Sequence, residues 1–280
     1  MLRDAREGDP GGRNGPGLTT WVPFPSHGFR HARPGMTKLV ETDHPDRYRR
    51  KLYGRRKGPK LSARQIGLRQ TLLGELAFDP AKEPFGQFSN TVQELWLEVG
   101  FGAGEHLVWQ AKTHPQVGLI GAEPYEMGVA KLLTKLEESN LNTVRIFEGD
   151  GRDIIENLPD GCLSRFFLLF PDPWPKTRHH KRRFLQMGML DQLARVMRPS
   201  GELRFATDDK TYLPYALERL MAHPAFDWLA QGPSDWKTRP SDWLPTRYET
   251  KAIKGPPTFL RFVRRTGTSL SGPASDKKAS

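Results

Sequence analysis

The chain has 280 residues, 36% of them hydrophobic, which is enough to fill the core of one large α/β domain or two small ones. A formal charge of +11 and a pI near 9.8 point to a polyanionic partner, and nucleic acid is the commonest one for a soluble protein. Cys162 is the only cysteine, which excludes an internal disulfide and a thiolate metal cluster and fits a reducing cytoplasm; no apolar run reaches the ~18 residues of a membrane span, and no charged start followed by an apolar core marks the chain for secretion.

Residues 1–35 are rich in Gly, Pro and Arg and carry no apolar periodicity, so residues 1–45 are expected to be a disordered or non-native extension. Met36 opens a segment that reads as an N-terminus in its own right, and the native start is expected there. A basic arm follows at residues 46–61, in which Arg47, Arg49, Arg50, Lys51, Arg55, Arg56, Lys57 and Lys60 share a window without an acid. Such arms are commonly solvated, and commonly bind nucleic acid.

From Leu95 the pattern alternates. Strands are expected at Leu95 to Val99, Val117 to Ala122, Thr143 to Phe147, Leu163 to Phe170 and Glu202 to Ala206. Helices fall between and after them at Glu105 to Lys112, Glu126 to Glu138, Arg152 to Asn157, Arg183 to Met197 and Tyr212 to His223. Phe226 to Ala230 and Phe259 to Arg264 are expected to close the sheet as an antiparallel pair. The fold class is therefore α/β, a doubly wound sheet of seven mostly parallel strands with helices on both faces. The domain is expected to span residues 46–265, with a flexible tail over 266–280.

The most informative stretch is Phe170 to Arg183, FPDPWPKTRHHKRR. An apolar strand runs straight into a proline-bounded loop that holds one carboxylate, and a dense run of cations follows. In open α/β sheets the carboxyl end of a strand is where ligands bind. Cations that grip a phosphate backbone beside one acid that reads a base edge suit an enzyme acting on a base of folded RNA. The plainer reading is a solvated basic helix start.

The first strand ends in Glu98-Val99-Gly100-Phe101-Gly102-Ala103-Gly104-Glu105, a glycine turn entering a helix. Such turns serve both dinucleotides and S-adenosylmethionine. The GxGxG spacing lacks the last glycine of the dinucleotide pattern, and the flanking acids Glu98 and Glu105 would repel a pyrophosphate. A cofactor that carries an amine and a sulfonium suits the turn better. Glu123 closes the second strand where an acid accepts hydrogen bonds from ribose hydroxyls, and Asp150 follows the third strand within reach of an adenine amino group. A helix cap is an equal reading of Asp150, but one acid at the end of each of three successive strands is a constellation.

The motifs LEVGFGAGE, GAEPY, EGDGRD, FPDPWPKTRHHKRR, ATDD and TRYE, in that order between Asp46 and Arg264, resemble the tRNA (guanine-N7)-methyltransferase family of the bacterial TrmB type. The resemblance implies a Rossmann-like class I methyltransferase fold that moves the methyl of S-adenosylmethionine to N7 of guanine 46 in the tRNA variable loop, with S-adenosylhomocysteine as the other product. It implies cofactor contacts at Glu98, Gly100, Gly102, Gly104, Glu123, Asp150 and Asp172, with Asp172 also catalytic. Substrate contacts carry over to Lys176, Asp208, Thr246, Arg247, Tyr248 and Glu249, and RNA binding to Arg178, His179, His180, Lys181, Arg182 and Arg183. Members of the family commonly begin close to DHPDRYRR, so the residues before Met36 are the main departure, and Pro175 is a minor one. The expected partner is tRNA, with no membrane and no obligatory protein partner, and the protein is expected to be a cytoplasmic monomer or homodimer. No metal is expected, since adjacent histidines in a basic run, His179 and His180, more often face solvent or phosphate.

Three rivals remain at this level. An amino-group methyltransferase would place Asn or Asp directly before Pro-Pro-aromatic, whereas the order here is Asp172-Pro173-Trp174-Pro175. A tRNA-binding module without cofactor would not need the glycines and acids, and a dehydrogenase would need the pyrophosphate fingerprint. Trp174 is open to two readings, a stack on the target base or a core position.

Overall fold

The computed structural model describes residues 52–54, 56–245, 249 and 255–267. The expectations for residues 1–45, for the start at Met36, for the first part of the basic arm and for most of the C-terminal tail lie outside these residues.

Seven strands form one sheet: β1 Glu94–Val99, β2 Val117–Ala122, β3 Val144–Phe147, β4 Leu163–Leu169, β5 Met197–Thr207, β6 Phe226–Trp228 and β7 Thr258–Arg264. Their order is β3-β2-β1-β4-β5-β7-β6. The pairs β1 with β2, β2 with β3, β1 with β4 and β4 with β5 are parallel, while β7 runs antiparallel to both β5 and β6. The chain winds outward from β1 to β3, then returns to lay β4 against the other side of β1. That reversal opens a crevice at the carboxyl ends of β1 and β4, where doubly wound sheets bind ligands.

The sheet is covered on both faces because its strands alternate. Phe166 and Leu168 of β4 join Leu95, Leu97, Leu203 and Phe205 on one face. There they meet α5 (Gly151–Asn157), α6 (Met187–Val196) and α7 (Tyr212–Ala222) through Ile154, Leu193 and Leu220. Phe167 and Leu169 join Trp96, Leu119 and Phe259 on the other face, under Leu68 of α1 (Ala63–Gln70), Leu107 of α3 (Glu105–Thr113) and Leu132 of α4 (Glu126–Ser139). Strands buried on both sides read as continuous apolar runs, which is why β2 and β4 are legible. Among the described residues no helix is long and apolar enough to cross a membrane.

The structure differs from expectation in several places, and three bear on the site. Helix α1 and the short α2 (Leu72–Leu76) were not anticipated, although Ser62 and Gln65 form a capping box, each side chain bonding the other's backbone N–H. The helix expected from Arg183 begins only at Met187 and is preceded by a 3-10 turn over Thr177–Arg182. The phenolic oxygen of Tyr212 accepts from the backbone N–H groups of Phe184 (3.0 Å) and Leu185 (3.4 Å), so those donors are satisfied outside a helix. Finally, β5 starts at Met197, and the register between β4 and β5 shifts between Leu163 and Arg165.

Candidate active site

At the end of β1 the chain turns on Gly100, Gly102 and Gly104, with φ of +78°, +58° and +77°. These left-handed angles suit glycine, and at Gly104 a Cβ would also lie 2.6 Å from Leu132 Cδ1. The sharp turn lets α3 start directly behind β1 and leaves backbone N–H groups near the crevice. The glycine N–H groups are all engaged: Gly100 donates to Ala122 O, Gly104 to Phe101 O, and Gly102 to Glu123 Oε2 at 2.8 Å. The other carboxylate oxygen of Glu123 accepts from Tyr125 N–H at 3.0 Å. Glu123 is 8% exposed, and its carboxyl is raised above the ordinary range: burial raises it most, the two amides pull it down, and the charges of Asp172 and Glu98 push it up again. These acids lie at the carboxyl ends of β2, β1 and β4, which are neighbours in the sheet, so they stand along one edge of it.

The remaining strand-end acids are held differently. Glu98 is 3% exposed and bonds His106 Nδ1 through Oε2 at 2.8 Å. Asp150 caps α5, accepting from Arg152 N–H at 3.1 Å, and the Arg152 guanidinium grips its carboxylate from Nε and Nη2. The capping reading of Asp150 is therefore the one its hydrogen bonds follow.

Asp172 is exposed, on a loop bracketed by two residues with positive φ, Phe170 at +51° and Trp174 at +44°. Aromatic residues seldom adopt that conformation, and such strain persists where the surroundings enforce it. The enforcement is visible: Phe170 N–H donates to Ala206 O of β5, and Arg183 Nε donates to Pro173 O at 2.8 Å. Arg183 also donates to Thr211 O and Thr211 Oγ1 and lies over the rings of Tyr212 and Tyr215. At 1% exposure it braces the loop from inside, in contrast to the exposed Lys176, Arg178 and Lys181 of the same run. His179 is held below its usual pKa by partial loss of water and then by Arg182, Arg178, Lys176 and Lys181, a sign of how dense the positive field is there. His180 turns its ring edge to Tyr215 at 5.7 Å.

Residues of the arm close over this loop. A Cβ at Gly54 would sit 3.6 Å from Asp172 Oδ2, and Tyr53 meets the Trp174 ring edge-on at 6.0 Å. The Arg182 guanidinium stacks 4.0 Å above Tyr53 and 4.9 Å from Trp174. Trp174 is thus half-buried in a cation and aromatic stack beside the acid. Asp208 is half-buried at the end of β5, next to Asp209, which caps α7 by accepting from Thr211 and Tyr212 N–H. Glu249 pairs with Arg239 at 2.6 Å, while Thr246, Arg247 and Tyr248 lie outside the described residues.

A family described as "Putative methyltransferase" matches residues 92–259, which include the glycine turn, all four strand-end acids and the basic turn. The tRNA (guanine-N(7)-)-methyltransferase of Rhodospirillum rubrum is 47% identical over 240 residues, covering 81% of this chain and 94% of its own. That of Ruegeria sp. (strain TM1040) is 46% identical over 228 residues, covering 77% of this chain and 88% of its own. The chain belongs to the tRNA (guanine-N7)-methyltransferase family. A rRNA methylase from Streptococcus thermophilus, at 11% identity and a TM-score of 0.44 over 74% of this chain and 100% of its own, adds nothing to what the strand order shows.

The site also contains residues that the sequence reading passed over. His106 and Gln110 stand four apart on α3, one turn behind Glu98, and Asp242 and Arg204 close the same buried network. The helical spacing of His106 and Gln110 just after the glycine turn was the available signal, because both project from one face.

Proposed function

We propose that this protein transfers the methyl group of S-adenosylmethionine to N7 of guanine 46 in the variable loop of tRNA. The observation that carries this reading is that Glu98, Glu123 and Asp172 stand at the carboxyl ends of the neighbouring strands β1, β2 and β4, and that Asp172 is followed at once by an exposed basic turn. The residues fit the cofactor: burial raises Glu123 and the carboxylates of Asp172 and Glu98 add to it, so a ligand with a sulfonium and an amine is favoured there where a pyrophosphate would be repelled. Gly100, Gly102 and Gly104 would let the ligand approach the backbone, Glu123 would accept from ribose hydroxyls, and Glu98 and Asp150 would line the remaining edges. When bound, S-adenosylmethionine supplies an electrophilic methyl whose bond to sulfur breaks, with its electron pair left on sulfur, as the bond to nitrogen forms.

Guanine N7 offers an in-plane lone pair and bears no proton, so no general base has to act before attack. The work of the residues is placement, from which about 7–11 kcal/mol of barrier is available. Asp172 accepts from guanine N1–H and the N2 amino group, which adenine does not match, and its charge favours the cationic ring formed on methylation. Lys176, Arg178 and Lys181 neutralise phosphates, and Asp208 and the Thr246 to Glu249 segment contact the substrate. Asp172→Ala should therefore lower kcat by about 10²–10³. It should leave tRNA affinity within about threefold, since phosphate contacts dominate that term. Single-turnover methylation and a filter-binding titration check this, and near-normal turnover would remove Asp172 from its role.

A further inference from the structure

The loops after β4 and β5 carry two acids assigned to the substrate in the proposed reaction, Asp172 and Asp208, and one buried guanidinium ties these loops together. The two strands are parallel neighbours, with Leu169 opposite Ala206, so the loops leave the sheet side by side. A first link between them is the bond from Phe170 N–H to Ala206 O at 2.8 Å. Arg183 supplies the next. Its Nε donates to the carbonyl of Pro173, the residue after Asp172, at 2.8 Å, while Nη1 donates to Thr211 O at 3.1 Å and Nη2 to Thr211 Oγ1 at 3.0 Å.

The hydrogens along this path can run only one way. A guanidinium only donates, so Thr211 Oγ1 accepts from Arg183 and gives its single hydrogen to Asp209 Oδ1, 2.6 Å away. The same carboxylate oxygen accepts from Thr211 N–H at 2.9 Å and Tyr212 N–H at 3.0 Å. Asp209 N–H in turn donates to Thr207 Oγ1 at 3.1 Å, so Asp208 is held between two residues that bond each other across it. On the other loop, Pro173 stands between Asp172 and Trp174, whose φ of +44° has to be enforced by its surroundings. Arg183 itself has no freedom to leave: it is buried, with its guanidinium 4.9 Å from the Tyr212 ring centroid and 4.5 Å from that of Tyr215.

We propose that Arg183 and Thr211 are positioning residues that clamp the Asp172 loop to the Asp208 loop and so fix the spacing of the two acids around the guanine. Neither touches substrate, and the role rests on the proposed reaction. Breaking the clamp should slow methyl transfer while leaving in place the grip on tRNA phosphates, which belongs to the exposed cations of the same run.

The test begins with wild-type transfer to guanine N7; its absence overturns the reaction, whereas a loss confined to the variants belongs to the clamp. Arg183→Lys keeps the charge, but one ammonium cannot bridge Pro173 O and Thr211 as the planar fork does. Its single-turnover rate, measured with enzyme in excess so that the folded fraction does not enter, should fall about tenfold or more, the scale of a small misplacement. Its tRNA affinity should stay within about twofold, because phosphate contacts dominate that term. Arg183→Met should lose the same rate and keep the salt slope of tRNA binding, whereas a phosphate contact at this position would reduce that slope by about one. Thr211→Val, at an exposed position, keeps shape and charge and removes only the hydroxyl; it should lower the rate about fivefold, the worth of one hydrogen bond, and decides the matter if the Arg183 variants fail to fold. A wild-type single-turnover rate in any folded variant, or a salt slope lowered by about one in Arg183→Met, would overturn the proposal.

Discussion

Two cations within one basic run, Lys181 and Arg183, do different work, and burial decides which. Arg183 spends its guanidinium on Pro173 and Thr211 inside the fold, whereas Lys181, two residues earlier, is exposed. Arg183→Ala should cost about 2–4 kcal/mol, from lost bonds and packing and from the carbonyls left behind, read as a lower midpoint in urea. Lys181→Ala should leave that midpoint in place and lower tRNA affinity, with the salt slope reduced by about one. In the sequence both belong to one run of cations, because charge is legible there and depth is not. Glu123 adds a pH signature. A carboxyl raised in the fold contributes stability that is full below its unfolded pKa and is lost as pH rises through the folded value. The ionised form of Glu123 is disfavoured in the ligand-free protein, by burial first and by Asp172 and Glu98 after it, and a cationic ligand offsets that cost. Since the ionised form accepts the ribose hydroxyls, S-adenosylhomocysteine affinity should fall on acidification with a midpoint above the ordinary glutamate range. Calorimetric titrations across mildly acid pH check this, and a midpoint at the ordinary value would contradict it.

At the scale of elements, the loop after β4 owes its shape to neighbours far away in sequence. Tyr212 at the start of α7 satisfies Phe184 and Leu185 N–H and so keeps the chain extended before α6. Tyr212→Phe should leave two donors orphaned, at a cost of about 1–3 kcal/mol, and should loosen the Asp172 loop, seen as faster hydrogen exchange at Phe184 and Leu185. Local sequence could not show this, because the stripe of Leu185, Met189, Leu193 and Met197 reads as one helix while only its middle is helical; the outer two are buried by tertiary contacts. Where the signal is local the elements were legible: the apolar runs of β2 and β4, the glycines of the first turn, and the face of α4 formed by Val129, Leu132, Leu133 and Leu136. Helix α1 was equally local, signed by Ser62 and Gln65, but its exposed Arg64 and Ile66 hide the apolar period.

Across the whole molecule, one sheet reversal gathers the acids and one basic turn stands beside them. The seven mostly parallel strands and the closing antiparallel pair were legible in the alternation of strands and helices, whereas the order β3-β2-β1-β4-β5-β7-β6 was not. The site was legible in composition, through its glycines, acids and cations, and illegible in wiring: Asp150 as a cap gripped by Arg152, Arg183 as a brace, and the path from Glu98 through His106 and Gln110 to Asp242 are all made by bonds between distant or differently buried residues. The account as a whole stands on one reaction at one atom. The most direct test is to incubate the protein with labelled S-adenosylmethionine and tRNA that lacks N7-methylguanine, then cleave the RNA reductively at 7-methylguanine. Cleavage at guanine 46 in the variable loop is the predicted result, and label that enters the RNA at any other atom or position would contradict it.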